Sequence, residues 1–390
     1  MSAPKGQSGA KTKLFIDAMS LGVPRISGIG HNLHGLLATM TKDPGFLARY
    51  DIQLIVTKSG LPYLQAWGLS HVRYRTLWMP TKVYNRLPSL PWLPALDLLL
   101  GRGVYIFPNY SAWRLGRSKS LTFIHDVSYI LFPQFTTPRH RRFMTNNLPR
   151  WIKRSRLIAT LSEDSKQGLI DHLKIDPASI KIINPGVDTA LFYRREQSEV
   201  KQLLDKHQLP HDYILFVGNI EPRKNLTRLV EAYAGLPRQL RDTHPLVIAG
   251  GRGWREDEIN KTIAAARAEG AQIYLPETYI EDSELPALYS GAVLLAYPTL
   301  YEGFGIPPLQ AMACGVPVLT GANSSLPEVT GDAALLVDAE STTGITQGLV
   351  KLLTSQADRT KLVAGGSKRV NLFSWERSLA QLEVALNEVQ

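Results

Sequence analysis

The sequence predicts an α/β protein built of two Rossmann-like, doubly wound domains, and three observations carry that prediction. The chain has 390 residues, 44% hydrophobic and 20% charged, which at roughly 100–200 residues per domain suits two separate cores. Short apolar runs bounded by Gly, Pro or Asp alternate with longer helical stretches in both halves, the pattern of parallel βαβ units. A polar seam marked by Pro and Gly falls near the middle.

In the first half the strand candidates are Lys13–Ile16, Ile52–Val56, Val104–Phe107, Leu121–Ile124, Leu157–Thr160 and Ile180–Ile183, with helical stretches such as Asn32–Met40 and Ser162–Leu173 between them. In the second half they are Tyr213–Val217, Leu246–Ala249, Ala271–Leu275, Val293–Tyr297, Val316–Thr320 and Ala334–Val337. About six strands per half make one sheet each. The seam lies at Asn184-Pro185-Gly186-Val187-Asp188 and the polar stretch after it. The expected units are a disordered leader over residues 1–12, an N-terminal domain over 13–188, a C-terminal domain over 189–368 and a terminal helix over 369–390. That helix carries Phe373, Trp375 and Leu379, whose apolar surface needs a groove, and the interdomain seam is one place for it.

Composition then narrows the function classes. No apolar run reaches the ~20 residues that span a bilayer; the nearest, Leu87 to Leu100, is cut by Pro88, Pro91, Pro94 and Asp97. The leader has no signal-peptide core, and the single cysteine, Cys314, suits a reducing compartment. A cytoplasmic location is expected. The net charge of +10 is uneven: residues 1–190 carry 25 Lys+Arg against 10 Asp+Glu, and residues 191–390 carry 19 against 24. The densest cluster is Arg139, Arg141, Arg142, Arg150, Lys153, Arg154 and Arg156, with no acid between Asp126 and Glu163. No nucleic-acid-binding pattern accompanies it, so nucleic acid is not expected as a partner. A solvated basic face and a surface for anionic lipid, or for a lipid-pyrophosphate acceptor, remain. Trp78, Tyr84, Trp92 and Trp113 nearby fit an interface or a core equally well.

Three stretches carry chemistry. Phe216-Val217-Gly218-Asn219-Ile220-Glu221-Pro222-Arg223-Lys224-Asn225 joins a strand to a helix, where two cations and a helix N-terminus suit a diphosphate; a solvated turn is the alternative. Tyr297-Pro298-Thr299-Leu300-Tyr301-Glu302-Gly303-Phe304-Gly305 follows another strand. Its glycines allow close backbone approach to a ligand, and Glu302 could accept hydrogen bonds from sugar hydroxyls or simply cap the next helix. Gln310, about one helical turn in, would face the same cleft. In the first half, a strand ends in His125-Asp126, and Ser27-Gly28-Ile29-Gly30 makes a glycine turn opening the helix after the first strand. His125 could reach an interdomain cleft or be tied to nearby backbone. The Gly28/Gly30 turn lacks the third glycine of a dinucleotide fingerprint, which argues against a nicotinamide cofactor.

Together these motifs resemble the retaining GT-B glycosyltransferases that include bacterial mannosyl-, glucosyl- and rhamnosyltransferases of surface polysaccharide synthesis. The glycine loop at Gly28–Gly30, His125-Asp126, the Asn184–Asp188 linker, the Glu221–Asn225 turn, the Glu302 loop, Ser324-Ser325-Leu326-Pro327-Glu328-Val329 and Phe373-Ser374-Trp375-Glu376 occur in the family's order over residues 14 to 385. The resemblance implies a GT-B fold and a sugar-nucleotide donor as substrate. Lys224, helped by Arg223, would hold the donor diphosphate. Glu302 would bind the transferred sugar, with Gly303, Phe304 and Gly305 as backbone donors. His125 would lie near the reacting centre, and Gly28 and Gly30 would border the acceptor and the distal phosphate. Two positions depart from the family: Gln310 replaces a second glutamate, keeping one carbonyl acceptor without its charge, and Asn219 stands where many relatives have arginine.

The resemblance further implies retention of configuration, and because the sequence has no Asp-x-Asp, no metal or other cofactor is expected. It points first to GDP-mannose over UDP- or dTDP-linked donors, while the basic first half suits a lipid-linked or oligosaccharide acceptor and peripheral association with the cytoplasmic membrane. A phosphorylase, an epimerase and a non-catalytic sugar-nucleotide-binding module are the competing classes.

Overall fold

The computed structural model describes residues 10–390 apart from positions 70, 71, 91, 252, 254 and 255. The leader expected over 1–12 therefore lies almost wholly outside the described residues, and its last position, Thr12, already belongs to the first strand.

Two all-parallel sheets form, each flanked by helices. The first contains β1 (Thr12–Asp17), β2 (Tyr50–Thr57), β3 (Arg73–Leu77), β4 (Val104–Phe107), β5 (Lys119–Phe123), β6 (Leu157–Thr160) and β7 (Ile180–Ile182), in the order β3-β2-β1-β4-β5-β6-β7. The second contains β8 (Tyr213–Val217), β9 (Leu246–Ala249), β10 (Ile273–Tyr274), β11 (Ala292–Tyr297), β12 (Val318–Gly321) and β13 (Ala334–Val337), in the order β10-β9-β8-β11-β12-β13. Their central strands are apolar on both faces, as strands covered by helices on either side must be. In both sheets the winding reverses beside the first strand, between β1 and β4 and between β8 and β11. At such a reversal the loops leaving two neighbouring strands diverge and open a crevice.

The first sheet has one strand more than the apolar runs indicate. β3 is an edge strand of sequence RYRTL with no fully buried residue, so it presents no apolar run. Backbone pairing to β2 and a 2.7 Å bond from Arg75 Nε to Gln53 Oε1 hold it.

The basic cluster is largely one helix, Pro138–Arg154. It buries Met144, Asn147, Leu148 and Trp151, an i, i+3, i+4, i+7 stripe, and leaves Arg139, Arg141, Arg142 and Arg150 exposed. The four aromatic residues noted beside it divide. Tyr84 and Trp113 pack in the core of the first domain, whereas Trp78 and Trp92 are 84% and 73% exposed, and Leu98 and Leu99 are as bare.

The chain crosses between the sheets twice, side by side. Val187 N donates to the Phe373 carbonyl at 2.9 Å. A Cβ on Gly186 would stand 2.4 Å from the Trp375 backbone nitrogen, so only glycine lets the two crossings touch. After the second crossing, the helix Trp375–Val389 returns to the first domain, where Gln381 and Ser378 bond Asn184 and Lys181 pairs with Glu388 at 2.6 Å. The Trp375 indole fills the space left by Gly35, where a Cβ would lie 2.2 Å from the ring.

That contact makes a prediction whose sign depends on the partner. Gly35 lies inside the helix Gly28–Met40, so alanine there would ordinarily gain up to about 1 kcal/mol of helix propensity. Against Trp375 it should instead cost about 1–3 kcal/mol through overpacking. Thermal denaturation of Gly35→Ala, Trp375→Ala and the double variant checks this: Gly35→Ala should destabilise alone and become neutral or stabilising once the indole is gone.

Candidate functional site

The crevice of the second sheet is bounded by the loops leaving β8 and β11, and these carry the two sequence stretches with the strongest chemistry. After β8 the chain makes a short 3-10 turn, Pro222–Lys224, then passes through Asn225 in the left-handed region at φ 59° into the helix Leu226–Ala234. Asn225 fixes this turn to the end of β11: its Nδ2 donates to the carbonyls of Pro298 at 2.9 Å and Ala339 at 2.6 Å. Backbone joins the loops as well, with Leu300 N donating to the Arg223 carbonyl at 3.0 Å.

The side chains meet in a buried cluster. Lys224 Nζ donates to Glu302 Oε1 at 2.7 Å and to Tyr297 Oη at 2.8 Å, and Tyr297 Oη donates in turn to Glu302 Oε1 at 3.0 Å. Arg223 donates from Nη1 to Glu302 Oε2 at 3.1 Å and to the Tyr301 carbonyl at 2.7 Å, and from Nη2 to Glu221 Oε1 at 2.8 Å. Lys224, Glu302 and Glu221 are each at most 9% exposed. Two cations face two carboxylates in a space nearly closed to water.

Burial opposes every charge there, and the partners decide the outcome. Desolvation would raise the Glu302 carboxyl, but the Arg223 and Lys224 charges and the bonds from Lys224 and Tyr297 hold it at about 2. Desolvation likewise works against Arg223, yet Glu302 and Glu221 raise its pKa above the ordinary arginine value. For Lys224 desolvation is the larger effect and, with the Arg223 charge beside it, lowers the pKa from the ordinary lysine value despite Glu302.

The geometry settles several alternatives. In the Arg223–Lys224 turn Lys224 is buried and Arg223 half-buried, so it is not a solvated turn. Glu302 does not cap the following helix Ile306–Ala313; that place is taken by Gly305 at φ 92°. Much of the Arg223 fork is spent on Glu221, Glu302 and Tyr301, so Arg223 ties the loops together. Among the described residues, Lys224 uses two of its three ammonium donors. Asn219 is exposed, its Oδ1 beside Gly251. Gln310 turns toward the helix Leu285–Ser290, where Tyr289 Oη donates to its Oε1 at 3.1 Å; one lone pair of that oxygen is thereby engaged.

The first domain meets this loop directly. A Cβ on Gly303 would lie 2.7 Å from the His125 carbonyl, so glycine is required by the approach of the other domain. The His125 ring lies 2.7 Å by Nε2 from the Pro108 carbonyl. A carbonyl only accepts, which makes Nε2 the donor and leaves Nδ1 as the acceptor. Burial lowers the His125 pKa and favours this neutral ring. Phe304 packs edge-on against Phe373 at 5.5 Å, so its contribution to a ligand would come from its backbone.

Gly28 and Gly30 stand in the first turn of the helix Gly28–Met40, a glycine turn that opens it as expected. They also differ. A Cβ on Gly30 would strike Ile26 at 2.6 Å, so that glycine serves packing, whereas Gly28 faces open space. Near them Arg25 stacks on Tyr279 of the second domain at 4.4 Å, and His31 Nε2 lies 3.6 Å from Asp282.

Two members of the cluster had no role on sequence grounds. Tyr297 sits at the end of an apolar strand, where an aromatic residue reads as core. Glu221 opens the basic turn, and its pairing with Arg223, only two positions on, depends on the 3-10 geometry. The residue types of the turn were the one available signal for Glu221.

Comparison with known proteins agrees with this architecture. Residues 200–369 match the family described as glycosyl transferases group 1. O-antigen chain mannosyltransferase B of Escherichia coli is 35% identical over 280 residues, which are 71% of this chain and 72% of that protein. The serotype-specific mannosyltransferase WbdA of E. coli is 31% identical over 267 residues, 66% of this chain but only 32% of WbdA, so the alignment spans about a third of that longer protein. Among solved structures, Anabaena Alr3699/HepE in complex with UDP superposes with a TM-score of 0.69 at 17% identity, covering 96% of this chain and 99% of that one. A family match over most of the second domain, a relative aligned over most of its own length and a shared two-domain fold converge: the chain belongs to the glycosyl transferases group 1 family and is an enzyme that transfers sugar.

Proposed function

We propose that this enzyme moves mannose from GDP-mannose, with retention of configuration, onto a lipid-linked or oligosaccharide acceptor in cell-surface glycan synthesis. The buried Lys224–Tyr297–Glu302–Arg223 cluster at the crevice of the second sheet is the observation that carries this reading. The names of the E. coli relatives, both mannosyltransferases, support the sugar and the O-antigen context.

In this mechanism negative charge builds on the departing diphosphate as the sugar becomes cationic. Lys224, with its third donor, and the N-terminal turn of the helix Leu226–Ala234 stabilise that charge without a metal ion, because they are already oriented and partly desolvated. Arg223 holds the loops in register. Glu302, ionised across the physiological range, accepts hydrogen bonds from sugar hydroxyls and places the anomeric carbon; it is not the nucleophile. Gly303, Phe304 and Gly305 offer backbone N–H groups. His125, through Nδ1, accepts a hydrogen bond from a sugar hydroxyl on the first-domain side. Gly28 borders the acceptor, while Asn219 and Gln310 lie at the nucleotide end. The acceptor attacks from the face the diphosphate leaves, and the leaving phosphate takes its proton.

Peripheral attachment to an anionic membrane is part of the proposal. No helix among the described residues is long and apolar enough to cross a membrane. The exposed Trp78, Trp92, Leu98 and Leu99 and the arginine-bearing Pro138–Arg154 helix give the first domain both apolar and cationic contacts for lipid, with clustered Lys/Arg worth up to about 1 kcal/mol each near anionic headgroups.

Three measurements test this reading. Lys224→Ala should lower turnover about 100-fold to 1,000-fold, the range for losing one preorganised donor at a developing anion; an unchanged rate removes the phosphate assignment. In thermal shift against GDP, UDP, dTDP and ADP, GDP should stabilise most, by about 2.7 kcal/mol at a hundred times its dissociation constant. A larger shift with UDP would replace the donor. Co-sedimentation with phosphatidylserine vesicles should be strong for the wild type and fall with Arg139→Glu/Arg141→Glu/Arg142→Glu and with added salt, whereas equal binding to neutral vesicles would defeat the electrostatic part.

A further inference from the structure

The Glu302 loop is held from both sides, and its hold from the first domain has no part in the mechanism above. Within its own domain, Ser325 Oγ donates to the carbonyls of Glu302 at 2.8 Å and Phe304 at 2.9 Å, and Glu302 N donates to Ser324 Oγ at 3.1 Å. The carbonyl between them, that of Gly303, is taken by the other domain. Ser162 Oγ donates to it at 2.8 Å and Ser165 Oγ at 3.0 Å. Both serines belong to the N-terminal end of the helix Glu163–Leu173 and both are fully buried.

This fixes a direction. In a trans peptide the C=O and the following N–H point opposite ways. Two hydroxyls drawing the Gly303 carbonyl toward the first domain therefore turn the Phe304 N–H away from that helix. The same helix end is clasped a second time from the second domain. The Glu328 carboxylate accepts from Glu163 N at 3.0 Å by Oε1 and 2.9 Å by Oε2, and from Asp164 N at 3.3 Å. Glu328 is itself steadied by Arg369, which donates to the Glu328 carbonyl and, at 2.8 Å, to that of Val329. The helix already carries Glu163 and Asp164 in its first turn, so attraction of a third carboxylate to the helix end is opposed by like charge. The close two-pronged backbone geometry makes this a specific clasp.

We propose that Ser162 and Ser165 are positioning residues for sugar transfer, acting through the Gly303 carbonyl, and that Glu328 clasps their helix so that the Glu302 loop takes its working orientation only when the two domains are closed. This rests on the reading that the Glu302 loop holds the transferred sugar. Its consequence is that a nucleotide bound to the second domain alone meets an unfinished sugar site, and the first domain completes it on closure.

The test uses Ser165→Ala and Glu328→Ala in the full chain, with Ser162→Thr as the conservative variant that keeps the hydroxyl. Ser165→Ala and Glu328→Ala should each lower kcat about 10-fold to 100-fold, the scale for a misplaced reacting group, while affinity for the nucleoside diphosphate alone, measured by calorimetry, stays within about twofold. Ser162→Thr should retain most activity. In hydrogen exchange the Phe304 amide should exchange faster in the two alanine variants, and small-angle scattering should show a larger radius of gyration for Glu328→Ala. Unchanged kcat with unchanged Phe304 exchange overturns the proposal. So does a parallel loss of kcat, nucleotide affinity and melting temperature, which would mark a purely structural contact. If the wild type transferred no sugar from any nucleotide, the donor reading would fail, yet exchange and scattering would still decide whether the clasp orders the loop.

Discussion

The bond between Lys224 and Glu302 is the constraint around which the second domain is arranged. It joins the loops leaving β8 and β11, which the parallel topology brings to the same edge but does not itself connect. Taking these charges out of water costs several kcal/mol per ion, so the pair is not explained by stability. The surrounding groups compensate: Tyr297 both accepts from the lysine and donates to the carboxylate, and Arg223 supplies the second carboxylate oxygen with a donor. The result is a small region of fixed charge with little freedom to relax. Such a region suits stabilising charge that appears only during a reaction, because the reorganisation has been completed on folding.

That fixed cluster is coupled to the rest of the molecule through glycines and serines as well as through the Glu328 carboxylate. Gly303 admits the His125 carbonyl, Gly186 admits the Trp375 backbone, and Gly35 admits the Trp375 ring. These close approaches are of one kind, each bringing two distant segments nearer than a Cβ would allow. They place the hinge, the returning C-terminal helix and the interdomain contact at the Glu302 loop in one mechanical chain. The two crossings at Val187 and Phe373 are adjacent, so rotation of one domain on the other would bend few residues. Ser162 and Ser165 on Gly303 and Arg25 on Tyr279 are contacts between the two domains.

Much of this was legible from the amino acids. The strands of both sheets are continuous apolar runs because they are buried on both faces, and such runs are visible without a partner. β3 was hidden because an edge strand of alternating arginines has no such run. The turn at Glu221–Asn225 and the loop at Tyr301–Gly305 stood out because cations, a carboxylate and glycines collect where strands end. Their contact did not: it depends on β11 lying beside β8 while two other strands intervene in sequence. Gln310 shows the opposite case, a residue at helical spacing from Glu302 that turns to Tyr289 because the helix following Gly305 presents it to the helix packed alongside.

The sequence by itself determined the local chemistry: which stretches are strands, which turns carry charge and glycine, and that the first half holds a dense basic cluster. These properties depend on residues close together in the chain. Tertiary structure alone decided which charges are paired, which serines reach across to Gly303, which nitrogen of His125 holds the proton, and that Trp78 and Trp92 are bare while Tyr84 and Trp113 are core. Each of those depends on a neighbour tens or hundreds of residues away, and hydrogen bonding and burial act through distance in space, which the order of residues does not specify.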